Sequence, residues 1–262
     1  MASFTSGGVP IAYDDITPQE GADRTVVLVH GFASNRNEGW RRTGWYGAFE
    51  RRRMRVIALD QRGHGESAKL YDPADYAREK MAADVLALMD HLEVGRADLF
   101  GYSMGTRTVL EAAQTAPGRV SNLILGGVGG KLLGPSPQAL GTTMAEAMLA
   151  DDPATIANPM LRSFRQFADE QGEDRRALAA VTQVQNPAFD WDAVGGLPMP
   201  VLVVAGQRDE TAGDPEGLSR IFGHAFGVTV PGCDHFSAIP HALTKAAVFD
   251  FLDGVLDFEA QS

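Results

Sequence analysis

Residues Ala97–Leu110 read "ADLFGYSMGTRTVL", with Ser103 set between Gly101 and Gly105. Apolar β-formers precede the serine and helix-compatible residues follow it, so it falls where a strand turns directly into a helix. Such a turn forces its central residue toward a strained backbone conformation. Side chains two positions to either side would collide across it, and the two glycines remove them. The serine hydroxyl is then held at the carboxyl end of a sheet, close to the unpaired N–H groups and the positive dipole end of the following helix. A serine in an ordinary glycine-flanked turn has the same letters, so the rest of the chain must decide between the two readings.

Short apolar runs recur on both sides of this stretch. "VVLVH" ends at His30, "RVIALD" at Asp60, "NLILGG" at Gly127 and "VLVVAG" at Gly206. With the run leading into Ser103 they make five. They are continuously apolar rather than alternating, as in strands of a parallel sheet buried on both faces. A sixth, "GVTVPG", ends at Gly232. Amphipathic segments lie between them, such as Lys80–Glu93 with Met81, Val85, Leu88 and Leu92 at helical spacing. "ASFTSG" and "PIAYDDI", joined around Gly7-Gly8, predict an antiparallel hairpin at one edge.

The rhythm breaks between residues 132 and 196. "TMAEAMLA", "PMLRSFRQFADEQG" and "RRALAAVTQVQ" read as helices punctuated by prolines, with no good strand among them. This stretch separates two core strands, so it must leave the sheet and return. It predicts a helical cap over the carboxyl edge of the strands, inserted in a single α/β domain spanning 1–262.

Composition narrows the class. A chain of 262 residues with 44% hydrophobic and 22% charged residues suits one large α/β domain. Its net charge of −11 argues against nucleic acid or anionic membrane as a partner, since both require positive potential. The basic run Arg51-Arg52-Arg53 reads as a solvated rim. Cys233 is the lone cysteine, so no intrachain disulfide forms, and it reads as a small buried filler. No signal-peptide pattern and no membrane-length apolar window is evident, so a cytoplasmic location is expected.

In an open parallel sheet, ligands bind beyond the carboxyl ends of the strands. There the chain places "VHGFASN" after the first long strand, with Gly31 allowing close approach and the Phe32 N–H able to face a site. "LDQRGHGES" follows the second, Ser103 the third, "AGQRDE" with Asp209 the fifth, and "GCDHFS" with His235 the last. A serine, an acid and an imidazole thus follow strand ends in the order Ser, Asp, His. A neutral serine is a poor nucleophile, an imidazole can take its proton, and a carboxylate can fix the imidazole tautomer. Asp234, next to His235, is the rival acid, and Asp214 a more distant one.

These motifs resemble those of the cap-bearing α/β-hydrolases, the superfamily of esterases, lipases and C–C hydrolases. The matching residues are "HGF" (30–32), "DQRGHGES" (60–67), "GYSMG" (101–105), "GQRDE" (206–210) and "DHF" (234–236), so the likeness spans essentially the whole chain. The resemblance implies an α/β-hydrolase fold, a mostly parallel sheet with helices on both faces and a helical cap. It implies Ser103 as nucleophile, Asp209 as acid and His235 as base. It also implies an oxyanion hole from the backbone N–H groups of Phe32 and Met104. The family places its acid after the preceding strand, which favours Asp209 over Asp234.

The activity expected on this basis is hydrolysis of small to medium, mostly apolar carboxylic esters through an acyl-enzyme. Enol-lactone or C–C bond hydrolysis would use the same groups, and a small-molecule receptor on the same fold is the alternative from another class. Haloalkane dehalogenation and epoxide hydrolysis would need a carboxylate where Ser103 stands. No cluster has metal-ligand spacing and no nucleotide-binding loop is evident, so neither metal nor cofactor is expected. His30 reads as tying the oxyanion loop and His64 as a turn residue, and Asp60 and Arg62 as cross-linking that turn. His91 reads as a surface residue. Met144, Met148, Leu149, Met160, Leu161, Phe164 and Phe167 read first as the cap's own core and second as an apolar substrate pocket. Arg107, Arg208 and Lys131 are the cations available to anchor an acidic substrate, with the Arg107 head expected to face away from the site.

Overall fold

The computed structural model describes residues 2–134 and 138–256. Residues 135–137, part of the insertion expected at 132–196, lie outside the described residues, as do 1 and 257–262. The predicted hairpin forms from β1 (Ala2–Ser6) and β2 (Val9–Ile16), turned by Gly7 and Gly8 at φ 55° and 85°. The apolar runs become β3 (Arg24–Val29), β4 (Met54–Leu59), β5 (Ala97–Tyr102), β6 (Val120–Gly126), β7 (Val201–Gly206) and β8 (Ala225–Val230). They form one eight-stranded sheet in the order β1-β2-β4-β3-β5-β6-β7-β8. β2 pairs antiparallel with β1 and β4, and every other pairing is parallel.

The runs are apolar throughout because successive side chains enter two different cores. Val27, Val29, Ile57, Leu59, Leu99 and Leu123 point to one face. Their neighbours Val26, Leu28, Val56, Ala58, Phe100 and Ile124 point to the other. The first face is covered by α2 (Arg78–His91) and α3 (Met104–Thr115), through residues such as Val85, Leu88, Val109 and Ala113. The second is covered by α1 (Trp45–Glu50) and the later helix Ala242–Leu252, through Trp45, Phe49, Val248 and Phe251.

Between β6 and β7 the described chain contains no strand. It forms α4 (Gln138–Leu149), α5 (Pro159–Gln171), α6 (Arg175–Gln183) and α7 (Trp191–Gly195). Local chemistry sets their ends. Asn158 Oδ1 accepts the Met160 and Leu161 N–H groups at 3.0 and 3.3 Å, with Pro159 in the first turn of α5. Gly172, at φ 67°, closes that helix, and Asp174 starts the next by accepting from Arg176 and Ala177. Met148, Phe164, Ala168 and Leu178 pack together and onto Ala33, in the loop after β3. α7 instead sets its Val194 in the core under the sheet. After β7 come α8 (Pro215–Ser219), β8 and α9 (Ala242–Leu252). Among the described residues no helix is long and apolar enough to cross a membrane.

The chain passes from β3 outward to β4 and then back to the far side of β3 as β5, with Val29 opposite Gly101. Strand order reverses there, which opens a crevice between the loops that leave the carboxyl ends of β3 and β5. Those loops begin at His30 and Ser103.

Candidate active site

Ser103 sits between β5 and α3 at φ 54° and ψ −114°, a region L-residues seldom adopt. Three glycines make it possible. A Cβ on Gly101 would lie 2.4 Å from the Gly105 carbonyl oxygen, and one on Gly105 would lie 2.1 Å from that of Val29. A Cβ on Gly31 would lie 3.2 Å from Ser103 Cβ, so the loop after β3 runs against the serine. The strained turn is pinned by the Ser103 N–H donating to Gly126 O at 2.8 Å, and by the Thr106 hydroxyl within 3.1 Å of both the Gly101 and Gly126 carbonyls.

His235 reaches this serine from the loop after β8. Its Nε2 lies 2.9 Å from Ser103 Oγ, and its Nδ1 lies 2.7 Å from Asp209 Oδ2. Asp209 follows β7, and its side chain is fully buried beside the 11% exposed imidazole. Burial pushes the Asp209 carboxyl up. The hydrogen bond and charge of His235, the Thr211 hydroxyl and the Ala212 N–H outweigh it, and the carboxyl is held below its ordinary range. An ionised carboxylate only accepts, so Nδ1 carries the proton and Nε2 presents its lone pair to the serine hydroxyl.

Thr211, which the sequence reading passed over, completes this arrangement. Its N–H and hydroxyl donate to Asp209 Oδ1 at 3.0 and 2.6 Å, and the same hydroxyl is 3.0 Å from His235 Nδ1. The available signal was its position two residues past the acid, where a short polar side chain closes a turn onto a carboxylate. Tyr102 was also missed. Its hydroxyl donates to the His235 carbonyl at 2.7 Å and fixes the backbone that carries the imidazole. Asp234 faces elsewhere and caps its own turn by accepting from Phe236, Ser237 and the Ser237 hydroxyl. Asp214 caps α8.

The loop after β3 is held by His30, which is fully buried. The Gln61 N–H donates to its Nε2 at 3.0 Å, so the ring proton is on Nδ1 and is donated to Gly31 O at 2.8 Å. Gln61 returns a second bond to the His30 carbonyl and accepts from Thr108 in α3 at 2.7 Å. Burial lowers the His30 pKa to about 4 and that of His64 to about 3, so both rings are neutral at pH 7. Neither the Phe32 N–H nor the Met104 N–H has a hydrogen-bond acceptor among the described residues.

Asp60 and Arg62 both brace the turn after β4, each through its own partners. Asp60 pairs with Arg36 and accepts from the Arg36 and Glu66 N–H groups at 2.7 and 2.8 Å. Arg62 forms a two-pronged pair with Asp84 of α2, both bonds 2.8 Å. One expectation is corrected: Arg107 does not face away. With Met104 and Thr108, which stand three residues before it and one after, it lines a cavity of about 300 Å³ beside the loop after β3. Phe32, Met144, Met160, Phe164 and Phe189 make much of the remaining wall. The methionines at 144 and 160 thus both line the cavity and pack around the core of the insertion. Arg208 and Lys131, the other candidate cations, bond the main-chain carbonyls of Gly232 and Glu210. No group of three or more His, Cys, Asp or Glu among the described residues is arranged to hold a metal ion.

The family model of the alpha/beta hydrolase fold matches residues 24–179. The dihydrolipoyllysine-residue acetyltransferase component of the acetoin cleaving system of Pseudomonas putida is 37% identical over 199 residues, 70% of this chain. That match spans 51% of the relative, so this chain corresponds to about half of its length. The crystal structure of a hydrolase from Pseudomonas aeruginosa PA01 is 26% identical, with a TM-score of 0.78 over 96% of this chain and 97% of that one. A malate-bound thermophilic esterase from Thermogutta terrifontis is 25% identical, with a TM-score of 0.75 over 97% and 98%.

Proposed function

This chain belongs to the α/β-hydrolase family, and from that premise we propose that it hydrolyses small to medium carboxylic esters through a serine acyl-enzyme. The observation that carries the reading is the unbroken hydrogen-bonded line from Asp209 through His235 to Ser103, at 2.7 and 2.9 Å. Ser103 Oγ attacks the ester carbonyl carbon as its proton passes to His235 Nε2. Asp209 stabilises the imidazolium that results and keeps the ring in the required tautomer. The carbonyl oxygen becomes an oxyanion held by the Phe32 and Met104 N–H groups, each of the kind worth about 3–4 kcal/mol in such sites. Collapse breaks the ester C–O bond, and the alkoxide leaves with the proton from Nε2. Water gives a proton to the same nitrogen, attacks the acyl carbon and releases the acid with Ser103 restored.

α4, α5 and α6 act in this reading as a cap, while α7 packs under the sheet. α5 brings Phe164 to the imidazole, with ring centroids 6.3 Å apart, and to Phe236 at 5.4 Å. The apolar wall so formed keeps bulk water from the imidazole and leaves the cavity to the substrate.

The test is covalent. A serine-directed fluorophosphonate is expected to stop ester hydrolysis with one adduct, mapped to Ser103 by peptide mass, and to leave Ser103→Ala unlabelled. An adduct at another residue, or an unlabelled protein that still hydrolyses esters, would remove the mechanism. Acyl length is then read from a series of acetyl to decanoyl esters.

A further inference from the structure

The cavity wall carries a charge that nothing among the described residues answers. Arg107 is partly buried, and its guanidinium has no hydrogen-bond or ion-pair partner among the described residues. The other cation in the wall, Arg78, is already committed. It donates to Glu111 at 2.6 Å and to Pro187 O at 3.1 Å, and lies 3.7 Å over the Phe189 ring. No Asp or Glu stands among the lining residues. The guanidinium thus sits in an apolar wall, with a like charge nearby, in a chain whose net charge is −11. An unpaired cation in apolar surroundings is costly, and an arriving anion relieves that cost. A planar guanidinium with free N–H groups matches a carboxylate in a two-pronged pair.

Position supplies the geometry. Ser103 immediately precedes α3 and Arg107 is the fourth residue of that helix. Successive turns of one helix face lie about 5.4 Å apart. Residues 103 and 107 thus stand about one turn apart at the start of a single rigid element, and Met104, next to the serine, lines the cavity together with Arg107 and Thr108. A molecule that puts its carbonyl at Ser103 and extends an apolar chain into the cavity meets Arg107 with its far end.

We propose that the cavity receives the acyl chain of a dicarboxylic acid half-ester, whose free carboxylate pairs with Arg107 while the esterified carboxyl meets Ser103. The hydrolase reading supplies the ester chemistry; the carboxylate pairing depends only on the cavity. Release would yield a short dicarboxylate and an alcohol, so the step before it must be one that esterifies, or opens to an ester, one end of such an acid.

The experiment compares monomethyl adipate with methyl hexanoate, which differ in a terminal carboxylate against a methyl group, by pH-stat on the full chain. The native protein is expected to favour the half-ester by about tenfold or more in kcat/KM, as a charge-assisted pair supplies. Arg107→Met should abolish that preference chiefly through KM, since the contact is made in ground state and transition state alike. Arg107→Lys, which keeps the charge without the fork, should retain part of it and serves if the methionine variant does not fold. A preference that survives in both variants overturns the proposal, as does a native protein that favours the neutral ester. Adipate binding by calorimetry, on Ser103→Ala with and without Arg107→Met, separates the two readings. If neither ester is hydrolysed but adipate binds at least tenfold more weakly without Arg107, the hydrolase reading falls and this one stands. If adipate binding is absent or indifferent to Arg107, this one falls.

Discussion

Ser103 Oγ and His235 Nε2 stand 2.9 Å apart across 132 residues of chain. The serine is held by a strained turn between β5 and α3, and the imidazole by a loop that Tyr102, the residue before the serine, bonds through the His235 carbonyl. The two are thus tied twice, once by side chains and once through the backbone.

The first concerns the carboxylate. Asp209→Asn keeps the shape of the site but replaces an obligate acceptor with a group that can donate to Nδ1, which favours the wrong tautomer. We expect kcat for ester hydrolysis to fall by roughly 10³- to 10⁴-fold with little change in fold. Thr211→Val should cost less, about tenfold, because Asp209 keeps its bonds to the imidazole and to the Ala212 N–H. Equal losses in the two variants would mean that the threonine, not the charge, orients the ring.

A second set of substitutions tests the turn. Gly105→Ala drives a methyl group to 2.1 Å from a main-chain oxygen of β3, which neither partner can leave. It should destabilise by about 3 kcal/mol, or roughly 6–10 °C in Tm. Gly118→Ala, where a Cβ meets nothing within 4 Å, should be neutral in the same thermal melts. A tolerated Gly105→Ala would show that the strand and helix can separate.

The third prediction is a pH dependence of stability. His30 and His64 are neutral when folded, with pKa values lowered to about 4 and about 3. The unfolded chain binds protons at both near the ordinary value of about 6.5, so it is the state favoured by acid. Their contribution is complete above that value and is lost as pH falls toward the folded ones. Each should add about 1.4 kcal/mol per pH unit to the slope between pH 6 and 4.5. Urea melts of His64→Gln should show a slope smaller by about one proton. An unchanged slope would place the protonation elsewhere.

A fourth concerns Glu173, buried between α5 and α6. Its carboxylate accepts from Asn35 Nδ2 at 3.0 Å and from the Gly65 N–H at 2.9 Å, joining the insertion to the loops after β3 and β4. Glu173→Ala leaves both donors unpaired and should cost about 1–3 kcal/mol, with faster amide exchange around Gly65. Burial raises the carboxyl's pKa in the folded chain, so what it adds to stability is present at low pH and lost as pH rises through the folded value. Glu173→Gln keeps an acceptor without the charge and is expected to be at least as stable as the native chain at pH 7. Calorimetric melts at pH 5 and pH 7 check both variants.

The strand runs were legible because burial on both faces leaves a continuous apolar signature, and the sheet contains each of them. The elbow was legible because only glycine fits at 101 and 105, and the contacts a Cβ would make there show why. Partners across long distances were not. Nothing in "LDQRGHGES" indicates that Asp60 turns to Arg36 and Arg62 to Asp84, since either acid satisfies either cation locally. The orientation of Arg107 was also hidden. Its helix is covered by the sheet on one side and edges the cavity on another, and helical spacing alone does not say which lies under residue 107.

The order of elements, the α/β-hydrolase family and the residue types past each strand end can all be read from the chain alone. Backbone sterics and apolar periodicity act over a few residues, and so they are written locally in the chain. Only the folded arrangement brings Thr211 to Asp209 and His235, and leaves the Arg107 guanidinium in a mostly apolar wall with no anion beside it among the described residues. Those facts depend on which loops and helices meet where strand order reverses between β3 and β5, and on how α4 to α6 pack against the loop after β3. Contacts between elements far apart in the chain are fixed by packing, which no short stretch of sequence encodes.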